Sequence, residues 1–283
     1  MKTRFNDKRW LWRSIERVAT AGGWPALAAA RLGFPTDIVL EHHDIEVPAF
    51  PGAQGALRIA FASDFHAGPS TPPVVIERAV QRLGELEADV LLLGGDFVCQ
   101  RSEYARDLAR QVAEIPAPLG KYAVLGNHDH WSGAGDVTRH LEDQGIHVLT
   151  NRNVRLPEPF DRISVCGIDD HTAGDPDAEM AFAGSAATRI LLMHAPSNLL
   201  DVGDRGFVVA LCGHTHGGQI ARRDGRPLKV AQGALSRRYN WGRFDVGHGR
   251  TLIVSRGIGC STFPVRFNAP PAVIRVHLRG RHP

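Results

Sequence analysis

Two short runs, "LRIAFASD" at 57–64 and "DVLLLGGD" at 89–96, are almost continuously apolar, and each stops at an aspartate. That pattern is expected of strands buried on both faces. Between them lies "STPPVVIERAVQRLGELEA". There Ser70 or Thr71 can cap, the prolines suit a first turn, and Val75, Ala79, Val80, Leu83 and Leu86 recur at helical spacing. A second helix is expected in "EYARDLARQVAEI" and a third strand in "KYAVLGNHD" (121–129). This βαβαβ order with short connections predicts a largely parallel sheet covered by helices.

Later strands are expected in "ISVCGIDD" (163–170), "RILLMHAPS" (189–197), "FVVALCGHTH" (207–216), "TLIVSRG" (251–257) and "AVIRVHL" (272–278). A tail richer in strands than in helices favours two mixed sheets over a single doubly wound one. The first 35 residues read as a helical extension ending at Gly33-Phe34-Pro35, which leaves 36–283 as the main domain. With 43% hydrophobic and 22% charged residues the chain has the make-up of a soluble globular protein. Cys99, Cys166, Cys212 and Cys260 are far apart and form no CxxC pair, which argues against a disulfide framework or a thiolate zinc site. No long apolar run opens the chain, so a cytoplasmic protein is expected, without a cleaved signal or a spanning helix.

A net charge of +3 is too small to suggest general nucleic-acid binding. The charge is concentrated, however. Residues 1–17 carry six Lys or Arg against two acidic residues, and 222–238 carry six against Asp224 alone. Two basic patches on an otherwise acidic body predict local anion contacts, a membrane surface for one and a substrate for the other.

Each expected strand ends in polar groups: Asp64 and His66, Asp96, Asn127 with His128, His194, and His214 with His216. The carboxyl ends of strands in an open α/β sheet line one crevice, where ligands bind. Oxygen and imidazole donors without thiolate favour Mn, Fe or Zn, and seven candidates are too many for one tetrahedral ion. They suit two ions that share a carboxylate and keep positions open for water and substrate. Gly94, Gly95, Gly126, Gly213, Gly217 and Gly218 would let the backbone approach closely.

At these residues the chain resembles the calcineurin-like metallophosphoesterase superfamily. The blocks are "DFH" (64–66), "GGDFV" (94–98), "GNHDH" (126–130), "MHAPS" (193–197) and "GHTHGGQ" (213–219), in the family's order. With "SRGIG" (255–259) and "RFNAPP" (266–271), the GHTHGGQ form looks most like a bacterial phosphodiesterase-like branch, some of whose members are membrane-associated or act on lipid-linked nucleotides. The resemblance implies an α/β fold, a four-layer α/β/β/α sandwich with two mixed β-sheets. It also implies two divalent metal ions (Mn first, Fe or Zn otherwise), with Asp64, His66 and His216 on one and Asn127, His194 and His214 on the other. Asp96 would bridge them. A metal-bridging hydroxide would attack a phosphodiester or pyrophosphate bond. His128 would stabilise the transition state or protonate the leaving oxygen, a role that suits an imidazole.

Other positions carry milder expectations. Asp129 either orients a histidine or caps a helix, and His130 either meets substrate or lies at the surface. Asp169 and Asp170 fit a turn, Arg256 and Asn268 a phosphate contact or a fixed loop, and Cys212 a small core residue. His42, His43, His140, His147, His171, His248, His277 and His282 have no motif partner. The expected substrate is a small-molecule or lipid-linked phosphate, with hydrolysis of a UDP-linked lipid pyrophosphate at the membrane surface as the alternative. A nuclease would want an added domain or a broad basic face, and a scaffold that had lost catalysis would lack ligands or His128. The segment "KRWLWRSIERVA" (8–19) reads as a basic amphipathic helix with tryptophan, suited to peripheral membrane contact.

Overall fold

The structure is a computed structural model and describes residues 23–31, 36–47, 50, 55–231, 233–261 and 264–280. The expected amphipathic segment 8–19 therefore lies outside the described residues. After helix α1 (Trp24–Arg31) and strand β1 (Val39–Val47), the chain alternates β2 (Leu57–Ala62), α2 (Pro73–Gly84), β3 (Val90–Leu93), α3 (Tyr104–Ala113), β4 (Lys121–Ala123), α4 (Asn127–Glu142) and β5 (Ile146–Val148). The second half runs β6 (Arg152–Arg155), β7 (Ile163–Gly167), α5 (Ala178–Phe182), β8 (Thr188–Leu192), α6 (Leu199–Val202), β9 (Val209–Cys212), β10 (Gly242–Asp245), β11 (Thr251–Val254) and β12 (Ala272–Gly280).

The strands form two six-stranded mixed sheets, ordered β1-β12-β2-β3-β4-β5 and β10-β11-β9-β8-β7-β6. Strands β2 to β5 are parallel to one another, as are β7, β8, β9 and β11. Period-two alternation explains the layering. Leu57, Ile59 and Phe61 of β2 face Val165, Ile190, Leu192 and Leu211 of the other sheet, forming a core between the sheets. Ala60 and Ala62 point the opposite way, onto Val75, Ala79 and Leu83 of α2. The second sheet turns Leu191, Ala210 and Cys212 outward onto Ala178, Ala181 and Phe182 of α5. The result is the four-layer α/β/β/α arrangement. Phe61 is fully buried in its middle, and a Cβ on Gly94 would come within 2.8 Å of its ring. Truncating a phenylalanine so placed costs about 3–5 kcal/mol.

One expected strand is shorter than its apolar run suggested. Segment 121–129 is strand only through Ala123, and Asn127 already begins α4. The Asp129 carboxylate accepts the Gly126 N–H at 2.9 Å and so caps this helix. The left-handed Gly133 (φ 122°) interrupts the helical repeat before Val137 and Leu141 restore it. Strand β1 also goes beyond the sequence reading. "VLEHHDIEV" is polar along most of its length because it sits at the sheet edge, paired parallel with β12. This pairing brings together His42, Asp44 and His277, with Asp44 within 3.7 Å of both imidazoles. Among the described residues no helix is long and apolar enough to cross a membrane.

Candidate metal centre

All seven expected ligands lie just beyond strand ends, where both sheets release their backbones toward one crevice. Asp64 and His66 follow β2, Asp96 follows β3, Asn127 heads α4, His194 follows β8, and His214 and His216 follow β9. Cross-strand bonds tie these loops together: Asp64 N–H donates to Gly95 O at 2.8 Å, His66 N–H to Asp96 O at 3.0 Å, and Gly213 N–H to His194 O at 2.9 Å. Asp64, His66, Asp96, His214 and His216 all adopt positive φ, between 44° and 70°. Non-glycine residues rarely accept that conformation, and such strain gathers at functional sites. Here it turns each side chain out of the strand direction and into the crevice.

Glycine makes the approach possible at two points. A Cβ on Gly213 would lie 2.0 Å from Asp64 Oδ2, and one on Gly126 would lie 2.3 Å from Asp96 Oδ1 and 2.7 Å from His194 Cε1.

The side chains meet in two groups, and either could hold a metal ion: Asp64, His66 and His216, then Asp96, His194 and His214. In the first, His66 Nε2 and His216 Nε2 are 3.1 Å apart, with Asp64 Oδ1 3.5 Å from His216 Nε2. In the second, His194 Nε2 lies 3.2 Å from both Asn127 Oδ1 and His214 Nδ1. Asp96 stands between them. Its Oδ2 is 3.5 Å from His66 Nε2 and 3.3 Å from His194 Nε2.

The electrostatics are those of charges taken out of water. Burial is the chief influence on His66 and His216 and holds both imidazoles well below their usual range. Burial pushes Asp64 up to about 6, against the pull of His194. It also opposes charge on Asp96, yet the nearby imidazoles of His194 and His128 win and keep this carboxyl well below the ordinary range. His194 responds in kind: burial works against its charge, but Asp96 outweighs it and moves the imidazole well above its usual value. Carboxylates, an amide oxygen and imidazoles converging without thiolate form a donor set that suits borderline divalent cations. The residues present fit two such ions.

Around this centre the structure sorts the remaining candidates. His128 has its Nδ1 2.9 Å from Cys99 O, which can only accept, so Nδ1 carries the proton. Its ring stands edge-on to His66 at 4.7 Å. Asp129 is fully buried and accepts N–H bonds from Phe97, Val98 and Gly126, so it serves as cap and loop anchor. Burial pushes its carboxyl up to about 7, with Asp96 adding to the effect. His130 pairs with Asp169 at 2.7 Å, and Asp170 takes the turn role, accepting from Thr172 and Ala173. Arg256 binds Glu41 at 2.8 Å and stacks over Trp241, while Asn268 donates to Ala221 O. Both fix loops.

One residue of the site escaped the sequence reading. Arg266 is 3% exposed, donates to the carbonyls of Gly259 and Ala269, and lies 3.1 Å from His216 Nδ1. Its only signal was membership of the "RFNAPP" block.

A model of the family described as calcineurin-like phosphoesterase matches residues 57–218. The chain is 30% identical over 251 residues to a metallophosphoesterase of Aquifex aeolicus (strain VF5), an alignment covering 86% of this chain and 92% of that protein. It is 27% identical over 260 residues to metallophosphoesterase YkuE of Bacillus subtilis (strain 168), covering 90% and 89%. Against phosphodiesterase YaeI of Escherichia coli (strain K12) it is 28% identical over 280 residues, covering 96% and 98%.

Proposed function

We propose that this chain, which belongs to the calcineurin-like phosphoesterase family, is a dinuclear hydrolase of phosphodiester or pyrophosphate bonds. It is a phosphoric ester hydrolase by family. The diester preference and the assignment of ligands are our own reading. The observation that carries it is the position of Asp96, whose Oδ2 lies 3.5 Å from one donor group and 3.3 Å from the other. A carboxylate so placed would serve two cations at once. Asp64, His66 and His216 would hold one, and Asn127, His194 and His214 the second, with manganese the first metal to test. When bound, such a pair lowers the pKa of a water and neutralises charge on a phosphoryl group.

The chain's own residues have separable tasks. The Gly94 carbonyl accepts a hydrogen bond from His194 Nδ1–H at 2.7 Å and so directs the Nε2 lone pair into the centre. His128 is anchored through Nδ1–H to Cys99, which leaves Nε2 to exchange a proton with the leaving oxygen. Arg266 ties the Gly259 and Ala269 carbonyls together beside His216. The relative named phosphodiesterase supports attack on a diester.

The test is turnover of bis-p-nitrophenyl phosphate and p-nitrophenyl phosphate by purified protein reconstituted with manganese. Faster cleavage of the diester, abolished by chelation and restored by metal, is the expected result. Cleavage of the monoester alone would overturn the diester assignment.

A further inference from the structure

Beyond the GHTHGGQ turn the chain enters a small β-ribbon. Ala221 pairs antiparallel with Pro227, and Ile220 pairs parallel with Phe267. Leu228 N–H donates to Ile220 O at 2.9 Å, Arg222 N–H to Arg226 O at 2.8 Å, and Ala221 N–H to Phe267 O at 2.8 Å. Paired residues in a sheet share a face and neighbours alternate. Ile220, Leu228 and Phe267 therefore lie on one face together with Arg222 and Arg226, and Ala221 and Pro227 lie on the other. The second face is the inner one: Ala221 is buried, and a Cβ on Gly218 would sit 2.2 Å from Pro227 Cβ. The first face is open, with Leu228 62% and Phe267 56% exposed.

We propose that this face, an apolar ridge of Ile220, Leu228 and Phe267 flanked by arginines, docks on an anionic lipid bilayer. Arg222, Arg223 and Arg226 are exposed, and Arg222 and Arg223 have no ionic partner among the described residues. Between 222 and 238 six basic residues face one acidic residue, Asp224. Apolar side chains that insert, together with cations that meet headgroup phosphates, are the two components of interfacial binding. A second copy of the chain fits less well, because a symmetric contact would set these arginines against each other. Both arms of the ribbon begin at the metal centre. Gly218 is two residues from His216, and Arg266, which lies against His216, precedes Phe267. Docking here would hold the centre at the bilayer surface.

The inference is independent of the hydrolytic reading and is tested by lipid binding. The full chain is sedimented with phosphatidylcholine vesicles, with and without phosphatidylglycerol. Two variants accompany it: Arg222→Ala with Arg223→Ala and Arg226→Ala, and Leu228→Ser with Phe267→Ser. Binding is expected only to the anionic vesicles, weakened about fivefold per arginine removed and at least about tenfold by the serine pair. All side chains changed are exposed and lie outside the metal centre, and thermal melting followed by circular dichroism serves as the folding control. Should the serine pair misfold, the arginine variant still decides.

Four results would overturn the proposal. One is equal binding by wild type and variants, which would assign lipid contact to the basic segment 1–17. Another is no binding of wild type to anionic vesicles. The last two are a solution dimer that the serine pair dissolves and an oligonucleotide that displaces the vesicles.

Discussion

The main chain of His128 donates to the side chain of Asp96, N–H to Oδ1 at 2.8 Å. The head of α4 thereby steadies the carboxylate beyond β3 through its backbone, which any residue at 128 would supply. The imidazole remains available for chemistry.

That separation predicts the behaviour of His128→Ala. The backbone bond to Asp96 survives, so metal content should stay at the wild-type level. Turnover should fall by about two orders of magnitude or more, the usual loss for an acid–base or charge-stabilising group. Steady-state kinetics beside metal analysis of the same sample separates the two effects. A fall in bound metal with unchanged turnover per ion would make His128 a ligand instead.

Asp96→Ala should behave in the opposite way. Because Asp96 lies within 3.5 Å of imidazoles from both donor groups, its loss should weaken both sites. Metal analysis of the manganese-loaded protein should give close to two ions per chain for wild type, and clearly less than one for the variant. A variant that keeps one tightly held ion would show that the two sites do not share this carboxylate.

Two glycines of one region should respond differently to alanine. Gly126 has an ordinary φ of −105°, so the obstacle is steric: a Cβ would meet Asp96 Oδ1 at 2.3 Å and His194 Cε1 at 2.7 Å. Gly126→Ala should lose metal and reduce turnover by roughly a hundredfold, the scale expected when a first ligand is displaced by about an ångström. Gly135 lies within α4 with nothing within 4 Å of its Cβ position. Gly135→Ala should raise stability by about 0.5–1 kcal/mol in a urea titration, with activity unchanged. Equal activity of the two variants would show that the crevice tolerates a methyl group beside Asp96.

The metal-free protein should lose stability as pH rises from 6.5 to 8. Asp129, lifted by burial to about 7, and His194, held well above its usual range despite burial by the Asp96 carboxylate, both bind protons more tightly folded than unfolded. Their contributions are complete below the unfolded pKa values and are lost as pH passes the folded ones. His66 and His216, pushed down by burial, act in the opposite sense but only below about 6.5, the unfolded imidazole value. Above it they are neutral in both states. Thermal melts of chelator-treated protein at the two pH values check the sign, and a higher melting temperature at pH 8 would refute it. With manganese bound the slope should flatten or reverse, since cations favour deprotonated ligands.

Much of this protein was readable from its chain. Strands β2, β3, β7, β8, β9 and β11 announce themselves as largely apolar runs because most of both their faces is buried, which leaves few polar positions, such as Arg58 and Ser164, before the strand ends. The same physics exposed the site, since Asp64, Asp96, His194 and His214 each interrupt such a run where the sheet stops. What only the tertiary structure decided concerns contacts between distant segments. Strand β1 is polar and becomes a strand through its pairing with β12, more than 200 residues away. Arg266 looks like a surface cation until its bonds to the Gly259 and Ala269 carbonyls hold it buried beside His216. The ridge of Ile220, Leu228 and Phe267 exists only because residue 267 pairs with 220. Local patterning records which faces a segment buries, whereas the partners that bury it, or leave it bare, are set by packing across the whole chain.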